Sequence, residues 1–222
     1  MSVDTIENFL TSEDIQWFCD DFARRLAGPL PEQKTSVVKQ YQIELGETGH
    51  ARILDCIQRS LPDIADKIDV VMSYQRQYSP HALHVDGFPV GVDKNYYFSI
   101  VVPLQENTDD IFKTIVWDKN FELYEQFAQY QQDFEINKSL YTKLNCSSEQ
   151  YSLAHCLRPG SKENLADYMP FEGAYVYRLG TAGKFIRSHV HATNNWRTVP
   201  GYEYKYKDII FLTTNPKTWR NR

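Results

Sequence analysis

Three side chains of the sequence have the types and the spacing to bind one metal ion. His84 and Asp86 are separated by one residue, and His191 follows 107 residues after His84. In an extended backbone residues i and i+2 point to the same side, so His84 and Asp86 can present an imidazole nitrogen and a carboxylate oxygen together. Two histidines and one carboxylate fill one face of an octahedron and leave three positions open, an arrangement suited to non-haem Fe(II). The pattern therefore predicts an Fe(II) site.

A histidine and an aspartate at this spacing also occur without any metal. In that interpretation His84 is an ordinary core or surface histidine, and Asp86 is a turn residue before Gly87. Three observations favour the metal site: the pair directly follows an alternating segment, a second histidine cluster lies downstream, and a basic residue opens a strand after that cluster. His189 and His191 share one face of an extended strand, so alternation leaves both open as the distal ligand.

The elements that must position these residues change in type along the chain. Residues 1–67 are predicted to be mostly helical, with one helix capped by Thr11 or Ser12 and a second ending near Pro62. A further helix is expected early in an insertion at about 119–170. Helices followed by spaced strands predict an α+β fold with a sandwich or barrel at its centre. Alternating or β-branched segments predict strands at 70–78, 96–104, 114–117, 174–179 and 209–214.

Composition and charge exclude several classes of protein. The formal net charge is −5 and no stretch is strongly basic, which disfavours nucleic acid as the main partner. No run of about 18 apolar residues is present, so no membrane span is predicted. The acidic N-terminal segment lacks the positive start and apolar run of a signal peptide. The four cysteines have no CxxC spacing, which indicates free thiols, and we expect a cytoplasmic protein without a membrane partner.

On these residues the chain resembles the 2-oxoglutarate/Fe(II)-dependent oxygenases. The family pattern of HxD, a distal histidine and then a basic residue matches His84, Val85 and Asp86, then His191, then a lysine. The segments YQRQYSPHALHVD, IVVPL, TIVW and EGAYVY are also similar to the family, and the likeness covers residues 68–214. The resemblance implies a double-stranded β-helix, which is a jelly-roll or cupin-like barrel, flanked by the N-terminal helices. It also implies a single oxygenase domain over residues 1–222.

The resemblance implies that His84, Asp86 and His191 hold the iron and carry the catalysis. His191 is preferred to His189 because the small and polar residues that follow it are similar to those after the distal histidine of the family.

The cation that would bind 2-oxoglutarate is harder to assign. In the family it opens the strand after the distal histidine, but here Gly201 and Tyr202 stand at the usual spacing. The candidates are Lys207, then Lys205, then Arg197, although a lysine at a strand edge can equally be solvated. A cation entering the barrel beside the iron could pair with the far carboxylate of the cosubstrate.

The strand before the HxD motif offers two further cosubstrate residues. The resemblance implies that Tyr78 hydrogen-bonds 2-oxoglutarate, with Arg76 as a carboxylate partner. Core packing with a satisfied polar tip is the alternative for these side chains.

The implied activity is hydroxylation of a substrate, coupled to oxidative decarboxylation of 2-oxoglutarate to succinate, with Fe(II) and O2. Asp86 favours hydroxylation, because halogenating relatives carry a small residue there. The substrate is expected to be a small molecule or a peptide side chain. The alternatives are a cupin-like metal enzyme that does not use 2-oxoglutarate and a non-catalytic binding protein on the same barrel. A zinc hydrolase is a weaker one, since HxD on a strand differs from the helical HExxH motif.

Overall fold

The computed structural model describes residues 3–28, 40–78, 84–107, 110–126, 128, 171–193, 196, 201 and 205–217. The helices are α1 (Ser12–Leu26), α2 (Gly46–Ser60) and α3 (Pro62–Ala65), and a 3₁₀ turn spans Lys94–Tyr96. The strands are β1 (Val3–Ile6), β2 (Gln40–Ile43), β3 (Ile68–Gln77), β4 (Phe98–Pro103), β5 (Lys113–Asn120), β6 (Phe171–Val176), β7 (Ala182–Ile186), β8 (His189–Thr193) and β9 (Lys207–Pro216).

The strands form two antiparallel sheets. The larger has the order β1-β7-β4-β9-β3-β2, and the smaller has the order β6-β5-β8. The longest pairing of the larger sheet joins β3 to β9 in one unbroken register, from Ile68 opposite Pro216 to Gln77 opposite Lys207. Within the described part of the chain these are two separate sheets rather than one closed sheet, and the arrangement is α+β as predicted.

Helices α1 and α2 cover one face of the six-stranded sheet. Thr11 begins α1 with a capping box, in which its hydroxyl accepts from the Asp14 backbone N–H while the Asp14 carboxylate accepts from the Thr11 N–H. Phe18 and Phe22 of α1 and Ile53 of α2 are buried against the sheet. This burial stabilises helices of this length, because isolated helices of about 15 residues are marginal in water.

The other face of the six-stranded sheet packs against the three-stranded sheet. A second apolar cluster fills the space between them, with Val101 and Ile209 from the larger sheet and Val116 and Tyr175 from the smaller. Strand β4 is buried along its whole length because its alternate residues enter the two clusters. Its continuous apolar sequence follows from this burial on both faces.

The predicted helices and strands of the described residues are confirmed, with ends shifted by a few residues. The prediction that residues 1–67 are mostly helical is incomplete, because β1 and β2 extend the six-stranded sheet at its two edges. Most of the predicted insertion at 119–170 lies outside the described residues. The described part that follows β5 covers 121–126 and 128, and residues 124–126 and 128 in it are helical. None of the described helices has the length and apolar character needed to cross a membrane.

Candidate metal centre

The side chains of His84, Asp86 and His191 converge at one end of the space between the sheets. His84 Nε2 is 3.5 Å from Asp86 Oδ1, and His191 Nε2 is 3.3 Å from Asp86 Oδ2. One nitrogen or oxygen atom from each residue lies within 4.8 Å of the other two. Atoms so close can share one ion with bonds of about 2.0–2.2 Å, and two imidazoles with a carboxylate are a donor set that fits Fe(II) or Zn²⁺.

Backbone hydrogen bonds hold the segment that carries His84 and Asp86 against β8. The His84 N–H donates to the His191 carbonyl at 3.0 Å, and the His191 N–H donates back to the His84 carbonyl at 2.9 Å. Two residues on, the Asp86 N–H donates to the carbonyl of Arg187 at 2.9 Å. The three candidate ligands therefore belong to paired backbone segments, which restricts their relative positions before any ligand binds.

Arg187 fixes the backbone around Asp86 from the other side. Its Nη2 donates to the Asp86 carbonyl at 3.1 Å, and its guanidinium lies over the ring of Tyr97 at 4.2 Å. A Cβ atom at Gly87 would come within 2.2 Å of the Tyr97 hydroxyl, so a larger residue at this position would displace the segment. Gly87 allows the close approach that keeps Asp86 in place.

The orientation of His191 leaves one nitrogen available to a metal. Its Nδ1 is 2.9 Å from the carbonyl oxygen of His189. Because a carbonyl can only accept, Nδ1 carries a proton in this contact, which leaves Nε2, 3.3 Å from Asp86 Oδ2, as the atom that could bind a metal. A hydrogen bond of this kind is how proteins orient a metal-binding histidine.

The carboxylate of Asp86 is held ionised and in one orientation. Burial alone would raise its pKa, but the neighbouring imidazoles of His191 and His84 hold the pKa of Asp86 well below its ordinary value. The hydroxyl of Ser99, which is fully buried, donates to Asp86 Oδ2 at 2.5 Å. The sequence analysis missed Ser99, although it is the one polar residue in the apolar run of β4, which was a usable signal.

A Ser99→Ala variant should bind Fe(II) about tenfold more weakly, because outer hydrogen bonds to metal ligands typically contribute 10–100-fold to affinity. The affinity can be measured anaerobically by competition with a chromogenic chelator. Ser73→Ala is the matched control, since Ser73 is a buried serine on β3. Equal Fe(II) affinity in Ser99→Ala and the parent would contradict this role.

A small cavity of about 60 Å³ opens beside the three residues, between the two sheets. One polar group in it is Lys207 at the start of β9, which is 1% exposed. Its Nζ donates to the hydroxyl of Tyr177 at 2.8 Å, and that hydroxyl shares a second hydrogen bond with Thr114. The other residues that line the cavity include Gln75, Gln77, Val101, Phe185, Thr193, Ile209 and Phe211.

The ammonium group of Lys207 has no acidic partner in the described part of the chain. Its neighbours are the Tyr177 hydroxyl and the rings of Tyr177 and Trp196, at 4.7 and 5.3 Å from Nζ. Burial consequently holds the pKa of Lys207 well below its ordinary value. A buried ammonium group without a counter-charge is costly, so an anion beside Lys207 would offset that cost.

Three of the other predicted cosubstrate residues, Lys205, Arg76 and Tyr78, do not line this cavity. Lys205 is exposed, and Arg197 lies outside the described residues. Arg76 forms a two-pronged ion pair with Asp208, at 2.7 and 2.8 Å, on the opposite face of the sheet. Tyr78 packs its ring near those of Tyr41 and Tyr206.

The sequence analysis expected Arg76 and Tyr78 to face the metal site, but neither side chain lines the cavity. Side chains alternate along a strand, and the face that lines the cavity carries Gln75 and Gln77. The face with Tyr74 instead packs under α1, where Tyr74 stacks on Phe22. His189, the alternative distal ligand, directs Nδ1 to the Trp117 carbonyl at 3.2 Å and does not belong to the group of three.

The fold is similar to that of several solved enzymes. No protein-family model matches the sequence, and no curated protein matches it either. The epimerase SnoN, in complex with Fe3+, alpha-ketoglutarate and nogalamycin RO, has a TM-score of 0.61 and 11% identity, over 98% of this chain and 80% of SnoN. Apo HygX from Streptomyces hygroscopicus has a TM-score of 0.55 and 12% identity, over 97% of this chain and 83% of HygX.

The carbocyclase SnoK from nogalamycin biosynthesis has a TM-score of 0.53 and 10% identity, over 96% of this chain and 79% of SnoK. Both SnoN and SnoK are non-haem, alpha-ketoglutarate-dependent enzymes. At these identities the likeness concerns the course of the backbone. The chain has the fold of the 2-oxoglutarate-dependent, non-haem iron enzymes.

Proposed function

We propose that this protein is an Fe(II)/2-oxoglutarate-dependent oxygenase that hydroxylates a small molecule or a peptide side chain. The observation that carries the proposal is the pairing of two features in one cavity. His84, Asp86 and His191 form a group that could hold a metal ion, and Lys207 is a buried basic residue that lacks an acidic partner among the described residues. The first suits iron and the second suits a ligand with a carboxylate.

The metal would be held by His84 Nε2, His191 Nε2 and one carboxylate oxygen of Asp86. When bound, Fe(II) supplies the reaction with dioxygen that amino-acid side chains cannot perform. The backbone pairing of the His84 segment with β8 holds the three donor side chains together at the wall of the cavity. Ser99 restrains the carboxylate, and Arg187 restrains the backbone that carries it.

Lys207 would bind the carboxylate of 2-oxoglutarate that is remote from the metal. A charge-assisted hydrogen bond from Nζ to a carboxylate is stronger than one to a neutral hydroxyl, and it would offset the cost of the buried charge. The Tyr177 hydroxyl, hydrogen-bonded to both Lys207 and Thr114, holds the ammonium group in position in the cavity. Phe185 and Phe211 supply apolar surface to its walls.

The similar structures support the choice of cofactors. SnoN was solved with Fe3+ and alpha-ketoglutarate, and HygX with iron or with nickel and 2-oxoglutarate. On that basis we propose that this chain also uses Fe(II), 2-oxoglutarate and O2. We also propose that its two sheets are the halves of a jelly-roll barrel and that the chain is one domain. Hydroxylation is proposed as the outcome because Asp86 is present. The cytoplasmic location expected from the sequence remains part of this proposal.

The test is an anaerobic titration of the purified protein, first with Fe(II) and then with 2-oxoglutarate. We expect one Fe(II) per chain and a weak visible charge-transfer band that appears only when both are present. With ascorbate present as the two-electron reductant for the second oxygen atom of O2, admission of air should then convert 2-oxoglutarate to succinate and carbon dioxide. Binding of Fe(II) without the band would favour a metal enzyme that does not use 2-oxoglutarate, and no stoichiometric binding of Fe(II) would favour a non-catalytic protein.

A further inference from the structure

Two glutamine side chains lie in the cavity and their hydrogen bonding is incomplete. Gln75 and Gln77 are 6% and 3% exposed, and both line the cavity. Gln77 Nε2 donates to Gln75 Oε1 at 2.8 Å. The remaining acceptor of the pair, Gln77 Oε1, is buried and has no hydrogen-bond partner among the described residues. Native proteins leave few buried polar atoms in this state, so the pair requires an explanation.

The position of Gln77 relates it to Lys207. The two residues are direct partners in the register of β3 and β9, so their side chains leave the sheet on the same face. Lys207 Nζ uses one of its three N–H groups on Tyr177. Gln77 and Lys207 both line the cavity and therefore have hydrogen-bonding capacity there that the described residues do not use.

The Gln75 and Gln77 amides have a second arrangement, in which one N–H group is free to donate a hydrogen bond to a ligand. The oxygen and nitrogen of a glutamine amide have nearly the same size, so both amides can turn over without repacking. Gln75 Nε2 would then donate to Gln77 Oε1, which removes the unpaired acceptor. Gln77 Nε2 would be left to donate to a ligand.

We propose that Gln77 is a second binding group for the carboxylate held by Lys207, and that the Gln75 and Gln77 amides turn over together when this carboxylate binds. The inference rests on the proposed function, since it assumes a 2-oxo dicarboxylate in the cavity. A carboxylate only accepts hydrogen bonds, and Lys207 with Gln77 offers donors to both of its oxygens. The pair would thus select a dicarboxylate over a 2-oxo acid with an apolar end.

The experiment compares two ligands in the anaerobic, Fe(II)-loaded protein. 2-Oxoglutarate and 2-oxopentanoate share the metal-binding end, and only the first has the far carboxylate. The dissociation constant of each is measured from its visible band or by calorimetry. For Gln77→Met we expect about a tenfold rise in the dissociation constant of 2-oxoglutarate, because hydrogen bonds to charged groups are at the strong end of the range. The constant for 2-oxopentanoate should change less than about twofold.

Two matched variants complete the test. Gln75→Met should weaken 2-oxoglutarate binding less than Gln77→Met, because Gln75 only supports the amide that touches the ligand. Gln42→Met, at an exposed glutamine on the neighbouring strand β2, should leave both constants unchanged. Thermal unfolding of each variant checks that the fold is retained.

The outcomes separate this inference from the proposed function. A parent protein that prefers 2-oxoglutarate, with Gln77→Met unchanged or weakened equally for both ligands, would overturn the role of Gln77 alone. A parent that binds neither ligand, or binds both equally, would overturn the proposed carboxylate site and the inference with it.

Discussion

An Asp86→Ala variant is expected to lose Fe(II) affinity by at least about a hundredfold. Asp86 supplies the one negative charge among the three candidate ligands, and its two oxygens lie 3.3 and 3.5 Å from the His191 and His84 Nε2 atoms. Loss of a residue that only supports a ligand typically costs 10–100-fold, so loss of the ligand itself should cost at least the upper value. The visible band with 2-oxoglutarate should disappear with the metal.

The matched control for this variant is Asp93→Ala. Asp93 is an exposed carboxylate in the segment after Gly87, where its side chain accepts from the Asn95 backbone N–H. Fe(II) affinity in Asp93→Ala should equal that of the parent. If Asp86→Ala retained stoichiometric Fe(II) with little change in affinity, the metal site would have to lie elsewhere.

A Lys207→Met variant is expected to change ligand binding and stability in opposite directions. The dissociation constant of 2-oxoglutarate should rise about a hundredfold, because a buried charge-assisted contact is removed. The ligand-free protein should become more stable by about 1–3 kcal/mol, since methionine fills similar space without a buried charge. Calorimetry measures the first effect, and denaturant unfolding measures the second.

The stability gain in Lys207→Met should depend on pH. Burial lowers the pKa of Lys207 from its ordinary value of 10.5. Between the lowered pKa and 10.5 the unfolded chain holds a proton that the folded chain has released, so the stability of the parent rises with pH across this window. The advantage of Lys207→Met should therefore be largest below the lowered pKa and should shrink as the pH approaches 10.5.

Lys205→Met is the control, because Lys205 is exposed two residues before Lys207. It should alter neither the ligand affinity nor the stability. A parent more stable than Lys207→Met near neutral pH and without ligand would contradict the cost assigned to the buried charge.

The grouping of His84, Asp86 and His191 was predictable from the sequence because two independent regularities led to it. The spacing of His84 and Asp86 places them on one side of an extended segment, and the resemblance singled out His191 rather than His189. The structure brings these three together through a backbone bridge between His84 and His191, whose sequence separation no local pattern could have revealed.

The inward face of β3 was not predictable from alternation. Both faces of this strand are buried in its second half, one under α1 and one toward the smaller sheet. Alternation then divides the residues into two sets without telling which set faces the site. The polar set of Gln75 and Gln77 lines the cavity, while the set with Tyr74 and Arg76 packs on the helix side.

Strands β1 and β2 escaped the sequence analysis for a different reason. Each has only four residues, and each belongs to the sheet through one neighbour, β7 or β3. Such short edge strands are defined by the partner that they pair with rather than by their own residues. The order of strands in the larger sheet could therefore not be derived from composition.

The alignment of β3 with β9 also decides the electrical character of the cavity. Lys207 and Asp208 are consecutive, so their side chains lie on opposite sides of the sheet, facing Gln77 and Arg76 respectively. Slippage of β9 by a single residue would exchange their sides. Asp208 would then face the cavity and repel an anion there. Arg76 would lose its ion pair with Asp208 at the same time. The shifted register would therefore carry two electrostatic costs, and both favour the register in which Lys207 faces the cavity.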